Sequence, residues 1–167
     1  MKYCSDCGSL LQIRFHKREK KEMPWCESCG RFKHPMYNTA VSMMVTDEAG
    51  KKIILVKQYG RTACNLVAGY VDRGESAEDA VRREVKEELN LDVTGLYFNR
   101  TRFFERSNTL MANFTCCVSS LDAQPNDEID SWGVYSYEEA RKAIMPGSLA
   151  EQFLLAWMEE HPEPGEE

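Results

Sequence analysis

The sequence predicts a mixed α/β domain preceded by a small metal-held segment, and three observations carry that reading. Short apolar runs bounded by turn residues recur through the middle of the chain. One strongly amphipathic helical stretch lies among them. Four cysteines near the start fall in two Cys-x2-Cys pairs. Three segments follow from this texture: 1–36, a zinc ribbon; 37–158, the α/β domain; and 159–167, an acidic tail rich in Pro and Gly that is expected to fray.

The first segment holds Cys4, Cys7, Cys26 and Cys29. Two such pairs at this separation match a four-thiolate zinc site, each pair on a tight knuckle. Gly8 and Gly30 follow the second cysteine of each pair, where the backbone must turn toward sulfur. A closed set of four thiolates leaves no open position, so the expected Zn2+ is structural. It would stabilise a segment with too few aliphatic residues to bury a core. The basic stretch between the pairs, from Arg14 through His16, Lys17, Arg18 and Lys20 to Lys21, is diluted by Glu19 and Glu22 and reads as a solvated loop.

In the second segment, Val41–Val45 and Ile53–Val56 read as strands joined by a hairpin turn at DEAGKK. Asn65–Val71 reads as a short strand ending at a Gly-containing turn. Ser76 opens a helix, with Glu78 and Asp79 near its positive end. Ala77, Ala80, Val81, Val85 and Leu89 form its apolar stripe, and Asn90 stops it. Strands are expected at Val93–Asn99, Leu110–Ser119 and Trp132–Tyr137, and helices at Glu138–Ile144 and Ser148–Met158. Cys64, Cys116 and Cys117 carry no ligand pattern and read as core thiols. Trp25, Trp132 and Trp157 read as packing residues.

Composition narrows the function classes. The 167 residues include 27 acidic and 21 basic side chains, a net charge of −6. That disfavours a general binder of the nucleic-acid backbone, whose affinity comes from surplus Lys and Arg. It leaves room for a nucleotide substrate held through a cation. No apolar run reaches the ~20 residues of a membrane span, and MKYCSDC lacks the apolar core of a signal peptide, so a cytoplasmic protein is expected.

The chemistry-bearing stretch is GYVDRGESAEDAVRREVKEELNL, residues 69–91. Glu84, Glu87 and Glu88 lie at i, i+3 and i+4 and share one helical face. Three carboxylates there repel unless a cation joins them, and oxygen-only ligands favour Mg2+, Mn2+ or Ca2+. Glu75 and Arg83 can pair and hold the preceding loop to the helix. An acidic helix face alone is ordinarily just solvated. Here the whole spacing resembles the Nudix box, Gx5Ex7REUxEExGU with U aliphatic. Asn90 stands where that family has Gly, and Asn is the usual substitute in a left-handed cap.

The resemblance implies an α/β/α sandwich around a mixed sheet and hydrolysis of a nucleoside diphosphate linked to another moiety. It implies Glu84 and Glu88 as principal ligands of Mg2+ or Mn2+. Glu87 would be a further ligand or the base that activates water, the Ala68 carbonyl another ligand, and Arg83–Glu75 the orienting salt bridge. A zinc ribbon before such a domain resembles the NADH pyrophosphatase (NAD diphosphatase) branch of the family. HPMYNTAV, PNDEID and PGSLAEQFLLAW agree with it, over about residues 4–158. In this branch Glu128 stands where a distal metal-binding glutamate is found, and homodimers form.

One stretch departs. The branch's SQPW segment aligns with Thr101-Arg102-Phe103-Phe104, so Arg102 replaces Gln and Phe104 replaces Trp. Arg102, Phe103, Phe104, Thr109 and His34 are the expected substrate-binding residues. Either phenylalanine can stack on a base, and Arg102 or Arg106 can meet a phosphate. Strand alternation puts the two phenylalanines on opposite faces, one of them in the core. NAD(H), cleaved to AMP and nicotinamide mononucleotide, is the expected substrate. The alternatives are ADP-ribose or a nucleotide sugar, a damaged nucleotide, and a nucleic-acid-facing role in RNA cap removal or ligand sensing.

Overall fold

The computed structural model describes residues Met1–Pro162, so the end of the 159–167 tail lies outside the described residues. Two compact units divide between Tyr37 and Asn38.

In the first unit, β1 (Gln12–His16), β2 (Lys21–Cys26) and β3 (Arg31–Phe32) form a three-stranded antiparallel sheet. The basic stretch expected as a loop is therefore mostly a hairpin. It escapes recognition because Ile13 and Phe15 stay exposed on β1, so no buried face shows as alternation. Trp25 packs edge-on against Phe32, ring centroids 4.8 Å apart, with the Arg14 guanidinium over its ring.

The second unit is built on a six-stranded mixed sheet. Its strands are β4 (Asn38–Asp47), β5 (Ile53–Gln58), β6 (Val67–Tyr70), β7 (Val93–Phe104), β8 (Thr109–Val118) and β9 (Ile129–Tyr135). The order is β7-β8-β4-β5-β9, with β6 pairing β4. The β4–β8 pair is parallel and the others are antiparallel. Helix α1 (Ala77–Leu89) covers one face, and α2 (Tyr137–Ala143) and α3 (Leu149–Glu160) belong to the other. This is the α/β/α sandwich. Alternation sorts the layers: Val41, Met43 and Val45 of β4 pack with Ala80, Val81, Val85 and Leu89 of α1, while Met44 packs with Phe153, Leu154 and Trp157 of α3. No helix among the described residues is long and apolar enough to cross a membrane.

Local chemistry sets the boundaries. Ser76 accepts from the Asp79 N–H and starts α1; Asn90 ends it in the left-handed region at φ 54°. Ser136 and Glu139 form a capping box on α2. Most element bounds differ from expectation by a few residues. β7 continues to Phe104 rather than Asn99, because β8 pairs with it all the way to its own first residue, Thr109. α3 runs on to Glu160, past the expected start of the tail. Cys64 and Cys116 are buried, but Cys117, on the opposite side of β8 from Cys116, is half-buried.

Candidate metal sites and substrate cleft

In the first unit the four sulfurs converge. Sγ–Sγ separations are 3.8 Å for Cys4–Cys29, 3.5 Å for Cys7–Cys26 and 3.4 Å for Cys7–Cys29, and all four atoms lie within 4.8 Å of one another. A tetrahedral ion bound at ~2.3 Å needs sulfurs about 3.8 Å apart, so the cage fits zinc. Asp6 braces it, accepting from Lys33 Nζ at 2.7 Å and pairing with Arg31. Lys33, then Ser5, draw its carboxyl down to about 2.

In the second unit, β6 and α1 meet at Gly69. A Cβ there would lie 2.0 Å from Glu84 Cδ, so the Glu84 carboxyl occupies the space a side chain would take. Arg83 is the hub. Its guanidinium holds Glu75 through two bonds, Nε to Oε1 at 2.9 Å and Nη2 to Oε2 at 3.0 Å. It also donates to Glu84 at 2.7 Å, to Glu87 at 3.2 Å and to the Tyr70 carbonyl at 3.0 Å. Glu75 further accepts from the Asp72 N–H, and Arg83 above all keeps its carboxyl below the usual range. The loop is thereby fastened to the helix.

Glu88 faces inward from the same helix and is only 4% exposed. Burial, then the charges of Glu84 and Glu128, push its carboxyl up to about 7, against a donation from Gln58 Nε2 at 3.2 Å. The 119–128 loop docks on the end of α1, with the Gln124 and Asn126 N–H groups donating to the Leu89 and Glu88 carbonyls. That docking brings Glu128 into electrostatic reach of Glu88. A buried, proton-hungry carboxyl among three other acids is a donor set that a hard divalent cation suits. The carboxylates are not drawn into a closed cage: among the described residues, the four thiols alone converge that tightly.

Beside this face lies a cleft of about 1140 Å³. Its lining includes Ser42, Leu66, Ala68, Met111 and Phe153, the β7 residues Thr101 to Phe104, and the start of α3 with the turn before it, Met145 to Ala150. Arg61, Arg102 and Arg106 line it too, all exposed, and among the described residues no Asp or Glu does. Ala68 lines the cleft and Gly69, the next residue of β6, receives Glu84, so one short strand carries the cleft wall and the seat of the carboxylate on its two faces.

Phe103 and Phe104 both line the cleft, and neither joins the core. The expectation of one core ring fails because β7 is an edge strand whose last residues overhang the cleft. Thr109 is buried, its hydroxyl tied to Ser107. His34 is an exposed residue of the first unit. Sequence reasoning missed Arg61, Ser42, Gln58 and the fit of Gly69 to Glu84. Arg61 stands in a polar loop with no motif, and Ser42 sits inside an apolar run that reads as plain core.

Comparison with known proteins agrees with this geometry. The NUDIX domain model matches residues 36–157. NAD-capped RNA hydrolase NudC of Pseudomonas aeruginosa is 28% identical over 132 residues, 77% of this chain and 45% of that protein. Nudix hydrolase 19, chloroplastic, of Arabidopsis thaliana is 27% identical over 150 residues, 85% of this chain and 34% of that one. The chain thus spans less than half the length of either relative. Among solved structures, a NUDIX hydrolase from Nitrosomonas europaea superposes with a TM-score of 0.66 at 18% identity, over 100% of this chain and 97% of that one.

Proposed function

The chain belongs to the Nudix family of pyrophosphohydrolases, and from that premise we propose that it cleaves the diphosphate bond of a dinucleotide or nucleoside diphosphate derivative, NAD(H) before ADP-ribose. One observation carries the proposal: the carboxylate face of α1 and an arginine-lined cleft, free of acids among the described residues, meet at consecutive residues of β6, Gly69 and Ala68. A substrate with a diphosphate between two nucleosides places its anionic centre at that seam. The aromatic and apolar walls are left for a base.

Glu84, Glu87, Glu88 and Glu128, with the Ala68 carbonyl, are the proposed ligands for Mg2+ or Mn2+. A divalent cation, when bound, neutralises the diphosphate and acidifies a coordinated water. The chain's own groups do the rest. Arg83 and Glu75 fix the loop and the ligand rotamers. Glu87, the most exposed of the three helix glutamates, can accept the proton of the attacking water. Arg61, Arg102 and Arg106 take phosphate oxygens, and Phe103 or Phe104 stacks on a base. Cys4, Cys7, Cys26 and Cys29 hold a structural Zn2+, and the working unit is proposed to be a homodimer.

The relatives named as NAD-capped RNA hydrolases suggest the same bond at the end of an RNA. The net charge of −6 favours the free dinucleotide here. A panel of NADH, NAD, ADP-ribose and NAD-capped RNA, each with Mg2+ and with Mn2+, tests the reading. AMP together with nicotinamide mononucleotide from NADH is the expected outcome. Release from capped RNA alone, or from none of these, would move the assignment to another substrate class.

A further inference from the structure

A file of side chains, all buried except the half-buried Asn99, runs in one fixed direction and ends at the floor of the cleft. The indole N–H of Trp157 can only donate, and it donates to Thr115 Oγ1 at 2.7 Å. That oxygen accepts, so the Thr115 proton goes to Asn99 Oδ1 at 3.0 Å. Asn99 then turns its amide nitrogen to Asn113 Oδ1 at 2.8 Å. Asn113 in turn faces Ser42 with its own amide nitrogen, 3.1 Å from the carbonyl oxygen and 3.5 Å from Oγ. Each link orients the next. The last amide shows Ser42 only hydrogens, so the serine oxygen presents a lone pair on that side and keeps its proton for another acceptor. Among the described residues none takes it.

The arrangement costs more than packing requires. Ser42 and Asn113 sit side by side in the parallel β4–β8 pair, where two aliphatic residues would serve. Asn99 reaches Asn113 from a bulge in β7, between Phe98 and Arg100, where the strand register skips it. Ser42 itself is 4% exposed and lines the cleft. The same lining includes the apolar residues Leu66, Ala68, Met111 and Phe153. A flat, mostly apolar group suits this floor, whereas phosphates belong with the exposed arginines.

We propose that Ser42 is a specificity-determining residue whose hydroxyl donates to a lone-pair acceptor on the substrate's heterocycle, and that the Trp157–Thr115–Asn99–Asn113 file keeps it a donor. The inference rests on the reading of the cleft as the substrate site. A ring nitrogen of adenine and the carboxamide oxygen of nicotinamide share this chemistry, and the assay tells them apart.

The test measures kcat and KM for NADH and for ADP-ribose, with Mg2+, in the wild type, Ser42→Ala, Trp157→Phe and the double variant, alongside thermal unfolding of each. Ser42→Ala is expected to raise KM about 5- to 10-fold with kcat little changed, the loss of one neutral hydrogen bond. Trp157→Phe frees Thr115 to reverse the file and raises KM about 2- to 5-fold. The double variant is expected to be no worse than Ser42→Ala, because both changes remove the same donor. An effect confined to NADH puts the acceptor on nicotinamide, and an equal effect on both compounds puts it on adenine. An unchanged KM in Ser42→Ala, or single effects that multiply in the double variant, overturns the proposal. If the wild type hydrolyses neither compound, the substrate reading fails. Calorimetric titration of the same four proteins with AMP and with nicotinamide mononucleotide then decides the relay. Weaker binding by Ser42→Ala supports it; equal binding, or none by the wild type, overturns it.

Discussion

The two units of this chain solve the same problem with opposite means. In the first, Met23 is the one buried apolar side chain that is not a candidate metal ligand, and four sulfurs do the work of a core. In the second, the sheet carries an apolar layer on each face, and the candidate metal ligands sit at the edge of an already built structure. On the proposed reading, a metal in the first unit would be a folding element and in the second a reagent. The contrast teaches where charge is tolerated. Four gathered thiols suit zinc, which would need all four at once. The carboxylates are held less tightly, with a guanidinium among them.

Removing zinc should break the comparison most visibly. Cys26→Ser, or chelation, is expected to abolish the β1–β3 sheet, since apparent zinc binding in such small sites supplies ~10–16 kcal/mol of folding free energy. Elemental analysis and the near-UV signal of Trp25 report the loss, while the cooperative unfolding of the second unit should persist. A zinc-free first unit that kept its fold would remove the distinction.

Glu84→Gln and Glu88→Gln probe the other side. Each deletes one charge from a candidate ligand and keeps its volume. A loss of ~10²-fold or more in kcat is expected with zinc content and fold unchanged. Normal turnover at saturating metal would place the ligands elsewhere.

A smaller effect sharpens the point. The Glu88 carboxyl lies at about 7 in the folded chain against an ordinary 4.5. Its pKa is raised, so the folded state prefers the neutral form. That contribution is whole below about 4.5 and is lost as pH climbs to about 7. Without divalent metal, the melting temperature of the second unit should therefore fall over this window. Mg2+, which binds the ionised form, should recover most of the fall, with an affinity that rises across the same range. Glu88→Gln should flatten the slope, and an unchanged slope would show that another group titrates.

Much of this was legible in the sequence, for reasons that differ by element. Helix α1 announced itself through a 3.6-residue period, Ser76 at its start and Asn90 at its end, because caps and stripes are local chemistry. The cysteine pairs and the acidic face were legible because metal chemistry dictates spacing. The cleft wall was not. Phe103 and Phe104 alternate on a strand as any pair would, and no local pattern says that β7 runs out at the rim of a cleft. Ser42 has an apolar run around it, and its partners Asn113, Asn99 and Trp157 come from three other elements. The β1–β2 hairpin hid for the opposite reason, since its apolar residues face solvent and the sulfurs supply the order that a buried face would have signalled.

Arg83 carries a further consequence. Because its guanidinium is bonded to Glu84 and Glu87 at once, the acidic face already contains a resident cation. On the proposed reading, a divalent ion that reached those oxygens would not fill a void; it would displace a tenant. The face would then work as an ion exchanger, in which selectivity reflects the difference between two bound cations rather than the affinity of one. A displacement of this kind would weaken the loading of the ion. Occupancy would then follow the surrounding supply of the ion, and the pace of turnover would follow it too.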